Sequence, residues 1–424
     1  MRTQMWKRIG LTTACIFLLA ETAFGAGYGI YEWSARGNAM GGAMIGKADD
    51  PSAVAYNPAG ITQLPGVQVM GGVTALMPRS TVDVSVTSSK DLLTGSSSRV
   101  GMSESTDTKD LGLDGLAPNA FLTWQANDKI WFGLGAFTRY GLASEYDSDW
   151  IGKYAEYYAS VSTYSINPTI AYKINDQWSV AAGVEAMYVD IEIKKKIKLG
   201  NSDGDADLTG DCWAPGYNLA VHYTPTQWFA AGLTYRSEVH PHVEGDVDFT
   251  DMPSRYDDQN LMGYLDLPAS CSLGLAFQVT DKLNVEVDAV YTMWSSYSEI
   301  TFDYDDLEEV TEEKNWKDVW RFQLGVEYAY NDWLDLRFGY VFDQSPINDD
   351  YYDYMVPLYD RHIFNVGTGM HWGNFTLDLS YGYLFSADKD ATIHVSTDTL
   401  EETQDVTFKD AHCHMVSMNV GYAF

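Results

Sequence analysis

Lys317 and Arg321 are four residues apart. In an extended run this spacing puts both cations on one face, because strand side chains alternate with period two. Arg139 shares a face with Phe137 and Gly135 on the same grounds. Cations turned to the enclosed side of a sheet can hold a carboxylate head group by charge-assisted hydrogen bonds. An apolar neighbour such as Phe137 would suit the rest of such a molecule. The competing use is internal. Glu185, Glu327 and Asp335 have the parity to neutralise these cations, and buried charge must be paired.

Other polar clusters point to plainer roles. His412-Cys413-His414 resembles a metal run, but neighbours in a strand face opposite ways, so only the two histidines share a face. Lys194-Lys195-Lys196 could meet lipid phosphates or be a solvated strand end. Asp203, Asp205 and Asp207, and Asp303 to Asp306, could hold divalent cations through oxygen, yet neither run matches an EF-hand loop. There is no nucleophile–base pair with supporting spacing, no phosphate loop and no HExxH. No catalytic residue, metal or cofactor is expected.

The elements that would position these residues are strands. Trp320, Phe322, Leu324, Val326 and Tyr328 alternate with Arg321, Gln323, Gly325 and Glu327. The runs Leu334–Tyr340 and Phe375–Tyr383 alternate likewise, and Val416, Met418, Val420, Tyr422 and Phe424 share a face at the end of the chain. Short turns are expected at Asn127-Asp128, Asn175-Asp176, Thr224-Pro225-Thr226, Thr280-Asp281, Asn331-Asp332 and Gly373-Asn374, with residues that tolerate turn backbone. Long polar loops are expected at Ser88–Leu113, Ser144–Tyr158, Leu199–Asp211, Glu244–Gly263, Asp303–Asn315, Ser345–Leu358 and Ala387–Gln404. Six turns and seven loops imply about 14 antiparallel strands, an even number as bacterial membrane barrels have.

A soluble sandwich would show the same alternation. Composition and the N-terminus favour the barrel. Aromatic residues make up 14% of the chain and gather at strand ends, as in the girdles of membrane barrels. Arg2, Lys7 and Arg8, the apolar stretch Ile9–Ala20 and the small-x-small site Ala23-Phe24-Gly25 read as a cleaved signal peptide over residues 1–25. The net charge of −32 excludes a nucleic-acid partner, which needs a basic face. Cys212, Cys271 and Cys413 are widely spaced, and the sequence does not assign a disulfide among them.

Residues 26–65 lack strand alternation and are rich in Gly and Ala. Their order is Gly27-Tyr28-Gly29-Ile30-Tyr31-Glu32, then Ala39-Met40-Gly41-Gly42-Ala43, Ala48-Asp49-Asp50-Pro51-Ser52 and Asn57-Pro58-Ala59-Gly60. This order resembles the start of a mature FadL/TodX-type outer-membrane transporter. Further similar segments are Tyr140–Tyr146, Leu267-Pro268-Ala269, Tyr291–Ser295, Trp316–Arg321 and Phe342–Pro346, so the likeness covers nearly all of the mature chain.

The resemblance implies an all-β fold, a transmembrane antiparallel β-barrel (66–424) plugged by a small, partly helical N-terminal hatch (26–65). It implies passive transport of hydrophobic molecules across the Gram-negative outer membrane, with long-chain fatty acids first and aromatic hydrocarbons as the alternative. A lipid-acting barrel enzyme and a structural adhesin are the remaining rivals. The family's route leads from an internal apolar pocket to a lateral exit at a kinked strand. That role falls on Gly133, Gly135 and Gly141, with the Asn57-Pro58-Ala59-Gly60 turn beside the kink as gate. Lys317, Arg321, Arg139 and Phe137 are the expected ligand contacts. The implied partners are the substrate, outer-membrane lipid and lipopolysaccharide, and the barrel assembly machinery, which would read the terminal Phe424; a monomer is expected.

Overall fold

The computed structural model describes residues 27–109, 115–253, 256, 258–305, 307–356 and 359–424. The expected signal peptide lies outside them.

Fourteen antiparallel strands close into a ring. They are β1 (Val67–Asp91), β2 (Leu116–Gln125), β3 (Ile130–Phe137), β4 (Tyr158–Lys173), β5 (Trp178–Leu199), β6 (Ser202–Thr226) and β7 (Phe229–Arg236). The second half comprises β8 (Ser270–Thr280), β9 (Leu283–Thr292), β10 (Val319–Asn331), β11 (Leu334–Asp343), β12 (Arg361–Trp372), β13 (Phe375–Ser386) and β14 (Leu400–Ala423). Each pairs with its neighbours, and β14 returns to β1 from Gln68↔Ala423 up to Asp91↔Leu400. Closure leaves no wall strand as a free edge, which a sheet in lipid requires.

The outer face is apolar. Phe322, Phe338, Val366, Leu379 and Met418 are exposed there, while Arg321, Gln323, Arg337, Asn365 and Asn419 are buried inside. Trp124, Trp178, Trp228, Trp333 and Trp372 ring the short-turn end, and Trp213, Tyr217 and Trp320 the other. Two such girdles around an apolar band mark a membrane span, with short turns on the periplasmic side and long loops outside.

Five of the six expected turns fall between paired wall strands. The sixth is displaced: Thr224–Thr226 ends β6 after a register shift, and Gln227 and Trp228 make the turn. The expected loop Leu199–Asp211 is instead strand. β5 and β6 run to Leu199 and Ser202, and Gly200 supplies the positive φ (65°) that a two-residue hairpin needs. Lys194, Lys196 and Lys198 stand opposite Asp207, Asp205 and Asp203 in register. Their ion pairs measure 2.8, 2.7 and 3.4 Å. The polarity that suggested a loop is a cross-strand charge ladder.

The hatch fills the ring. It holds α1 (Ala35–Ala39), α2 (Ala53–Tyr56) and a 3₁₀ turn (Pro58–Gln63). The Ser34 hydroxyl accepts from Gly37 N at 3.0 Å and caps α1. Asn57 Oδ1 accepts from Ala59 N at 3.2 Å and starts the 3₁₀ turn. Met40, Val54, Tyr56 and Ile61 bury against Phe121, Trp131 and Phe137 of the wall. Each such side chain contributes about 1.5–3 kcal/mol by leaving water.

Polar contacts fix the hatch to widely separated strands. Asp288 accepts from Met44 N and Ile45 N at 3.0 Å, and Glu286 from Gly46 N at 2.5 Å. Arg236 donates to the Val54 and Ala55 carbonyls at 3.1 and 2.6 Å. Asn38 Nδ2 donates to Thr74 Oγ1 on β1 and Ser417 Oγ on β14, at 3.0 and 2.5 Å. Wall glycines let the hatch backbone come this close. A Cβ at Gly232 would strike the Ile45 carbonyl, and one at Gly339 the backbone of Gly41.

Candidate ligand cavity and wall opening

The ladder between β2 and β3 stops early. Ala120↔Ala136 is its last pair, so Leu116–Asn119 have no partner on that side. β3 breaks after Phe137 and resumes as a strand at Gly141–Glu145, which pairs with β4. Phe137 faces Ser165 and Gly141 faces Ser162, so the break inserts one extra residue, a bulge. The hatch's first residues meet it there. Ile30 N donates to Arg139 O at 2.8 Å, and Gly141 N to Tyr28 O at 3.0 Å.

A cavity of about 170 Å³ lies behind this break. Its apolar side is Leu76, Ile363, Leu384, Cys413 and Met415. These residues, with Val341, form a small cluster separate from the hatch core. Its wall side includes Ala117, Thr138, Gly141 and Leu142. Leu116 and Tyr164 also line it, and they are 39% and 45% exposed on the outside of the barrel. The cavity therefore reaches the outer face between β2 and the continuation of β3.

Three charged groups gather at its inner end: Glu32, Arg321 and Arg361. Arg361 Nη2 donates to Asp343 Oδ2 at 2.6 Å. Arg321 is held less tightly. Its ion pairs to Glu32 and Asp343 are long, 3.6 and 3.7 Å, and its Nε is buried without a hydrogen-bond partner. Its guanidinium lies 4.3 Å over the Tyr31 ring, which offsets part of its desolvation. Just above, Asp360 accepts from Ser345 N at 3.3 Å. Burial first, and the Asp343 charge second, push its pKa up to about 7 against the pull of Arg361.

The expected site residues separate on this geometry. Arg321 lines the cavity, and Gly141 marks the upper end of the break. Arg139 instead pairs with Glu185 at 2.9 Å, the internal neutralisation weighed from sequence. Phe137 is buried in the hatch core against Trp33 and Phe121. Lys317 is corrected: it precedes β10, is exposed, and does not follow the inward parity of Arg321. Gly133 and Gly135 are also corrected. They lie within regular ladder on both sides, and a Cβ at either would press on Val54, so they make room for the hatch rather than a kink. The turn at Asn57-Pro58-Ala59-Gly60 does not carry the contact at the break. Asn57 Nδ2 donates to the Ile45 and Val221 carbonyls at 2.8 and 3.3 Å, and Ser179 Oγ donates to Ala59 O at 2.8 Å. Tyr28–Ile30 take that place.

Sequence reasoning missed Arg361 and Glu32. Arg361 had a signal: it alternates with His362 and Phe364, on the parity of the buried Ile363 and Asn365. Glu32 had none, because the hatch has no period to assign its faces.

A second void, about 370 Å³, opens toward the short turns and is lined by many charged side chains. Glu327 anchors it, pairing with Arg36, Lys47 and Arg337 at 2.9, 2.8 and 2.8 Å. Arg337 also pairs with Asp378. His412 and His414 face outward on β14, bonded to the Asp410 carbonyl and the Tyr381 hydroxyl at 2.6 and 2.8 Å. Cys212, Cys271 and Cys413 are free thiols.

The chain matches the family model described as outer membrane protein transport protein (OMPP1/FadL/TodX) over residues 16–424. It belongs to that family. Among curated relatives, it is 26% identical to a "Long-chain fatty acid transport protein" of Escherichia coli O6:H1, across 90% of this chain and 88% of the relative. It is 25% identical to "Outer membrane protein P1" of Haemophilus influenzae, across 98% of both. Among solved structures, a Pseudomonas aeruginosa FadL homologue superposes with a TM-score of 0.79 at 18% identity, covering 95% of this chain and 99% of that one. The Pseudomonas putida toluene transporter TodX gives 0.70 at 16%, covering 92% and 98%. These likenesses establish the FadL/TodX fold and place this FadL/TodX-type barrel in the outer membrane.

Proposed function

We propose that this FadL/TodX-type protein moves hydrophobic small molecules passively across the outer membrane, and that long-chain fatty acids are its first substrate class. One observation carries the reading: the apolar cavity is lined by Leu116 and Tyr164, whose side chains are also exposed on the lipid side. A molecule leaving sideways there stays among apolar surfaces. A water-filled exit would cost about 0.8 kcal/mol for each CH₂ exposed. Arg321, the least satisfied cation at the cavity, takes the carboxylate head group, with Arg361 beside it. The E. coli relative's name supports the fatty-acid class.

In this reading residues 26–65 are the hatch and 66–424 the barrel, after a signal peptide at 1–25. The protein works as a monomer among outer-membrane lipid and lipopolysaccharide, delivered by the barrel assembly machinery, and forms no covalent bond with its substrate. Its Asn57–Gly60 turn holds the lower hatch while Tyr28–Ile30 act at the gate.

The test is uptake of radiolabelled oleate and of toluene in a host lacking its own fatty-acid transporter, with wild type and Ala117→Trp, both checked for barrel assembly. Oleate uptake lost in Ala117→Trp, with oleate binding kept, is the expected result. Full oleate uptake in that variant would overturn the lateral exit. Toluene uptake without oleate uptake would move the protein to the hydrocarbon branch.

A further inference from the structure

Beyond β7, Val239 and Leu267, near the two ends of the loop to β8, are joined to each other by a two-bond backbone bridge. Val239 N donates to Leu267 O at 3.0 Å, and Leu267 N to Val239 O at 2.9 Å. Both side chains are fully buried. Their sequence neighbours must then face outward. Those neighbours are Glu238 and His240 on one side of the bridge and Asp266 on the other. His240 Nδ1 is 2.6 Å from Asp266 Oδ1 and 3.8 Å from Glu238 Oε1. One ligand atom from each of the three lies within 4.8 Å of the others, the one such cluster among the described residues.

We propose that Glu238, His240 and Asp266 form a surface site for a divalent cation of the zinc class. The donor set is one imidazole nitrogen and two carboxylates, which suits zinc or cobalt better than the all-oxygen preference of calcium or magnesium. Metal–ligand bonds of roughly 2.0–2.2 Å put adjacent ligands about 3.4 Å apart in a tetrahedral shell. The 2.6 Å contact opens and the 3.8 Å contact closes to reach that spacing. The side chains of His240, Glu238 and Asp266 are 60%, 35% and 44% exposed and free to make the adjustment, while the bridge fixes the backbone beneath them.

The site closes the base of the loop between β7 and β8. That loop carries the hairpin of strands His242–Thr250 and Gln259–Tyr264, which leans on the extension of β6. A cation held at both ends of the loop fastens this hairpin to the rim. Because the three side chains are partly exposed, water or a lipid phosphate oxygen can complete the shell.

The experiment uses the full mature chain in detergent, without a histidine tag and stripped with chelator. Co²⁺ is titrated by its visible d–d absorption, and Zn²⁺ by competition, in wild type, His240→Ala, Glu238→Gln, Asp266→Asn and, as a control, His412→Ala. Heat-modifiable gel mobility confirms each barrel. The expected result is one saturable equivalent in wild type and His412→Ala, at least tenfold weaker in Glu238→Gln and Asp266→Asn, with the band lost in His240→Ala. Glu238→Gln separates a metal site from a plain His240–Asp266 ion pair, since Glu238 is outside that hydrogen bond. If His240→Ala does not assemble, Glu238→Gln with Asp266→Asn is read the same way. No saturable binding below millimolar Co²⁺ in wild type, or equal affinity in the variants, overturns the site.

Discussion

Arg321 Nη1 stands 3.7 Å from Asp343 Oδ2, beyond hydrogen-bond range, although both side chains are buried. The same oxygen is already taken by Arg361. Both guanidinium groups keep a buried Nε without a partner, but only Arg361 is closely ion-paired, so Arg321 is the natural contact for an incoming carboxylate.

Arg321→Gln should weaken oleate binding by roughly 10- to 100-fold, the loss of a charged hydrogen bond of about 1.5–3 kcal/mol. Toluene uptake should be unchanged, and Lys317→Ala should leave both alone. Direct binding of labelled oleate to the purified barrel checks this; equal losses from Arg321→Gln and Lys317→Ala would refute the assignment.

Asp360 makes head-group binding depend on pH. An acid with a raised folded pKa contributes stability that is complete below its unfolded value of about 3.9 and is lost as pH rises through the folded one. Here that point is about 7. Ionisation then adds a negative charge beside Asp343 and Arg361. Oleate affinity should fall severalfold between about pH 6 and pH 8. Asp360→Asn should flatten the profile, and a profile unchanged in that variant would disprove the coupling.

Gly133→Ala should destabilise the plugged barrel, by about 1–3 kcal/mol, because the new Cβ meets Val54. Val54→Ala should recover much of the loss in the double variant. Denaturant titration of heat-modifiable mobility gives the cycle, and strict additivity would show that the two residues do not meet.

Lys196→Asp should loosen the tall hairpin of β5 and β6, and Asp205→Lys in the same chain should restore it. The pair is half-buried at the surface, where such pairs give at most about 1 kcal/mol, so limited proteolysis at low salt is the sensitive readout. Cleavage that the charge reversal does not suppress would count against the ladder.

The wall was legible because lipid and lumen impose opposite chemistry on alternate residues. Phe322 and Arg321 show it, and so do five of the turns. Legibility failed at Lys194–Leu199, where a strand rises above the wall and its charged face is neutralised by Asp203, Asp205 and Asp207 across the hairpin, so that the density of charge reads as loop. It failed again where a residue's role depends on what packs against it. Gly133 reads as a kink from sequence and is a seat for Val54 in space. Gly141, placed on the same reasoning, does stand at the break. The cavity draws Glu32 from the aperiodic hatch and Arg361 from β12, and no local pattern joins them.

Asn38 bonds at once to Thr74 and Ser417, residues of the first and last wall strands. Those two hydroxyls also bond each other at 2.9 Å. The seam that completes the cylinder is therefore stitched from within by a segment synthesised before either strand. A slip of one residue along that seam would turn Ser417 toward lipid and leave Asn38 unsatisfied. The plug is thus more than an obstruction in a finished pore: it is a clasp that bears on both edges of the cylinder's seam and favours a single alignment of the final strand against the first.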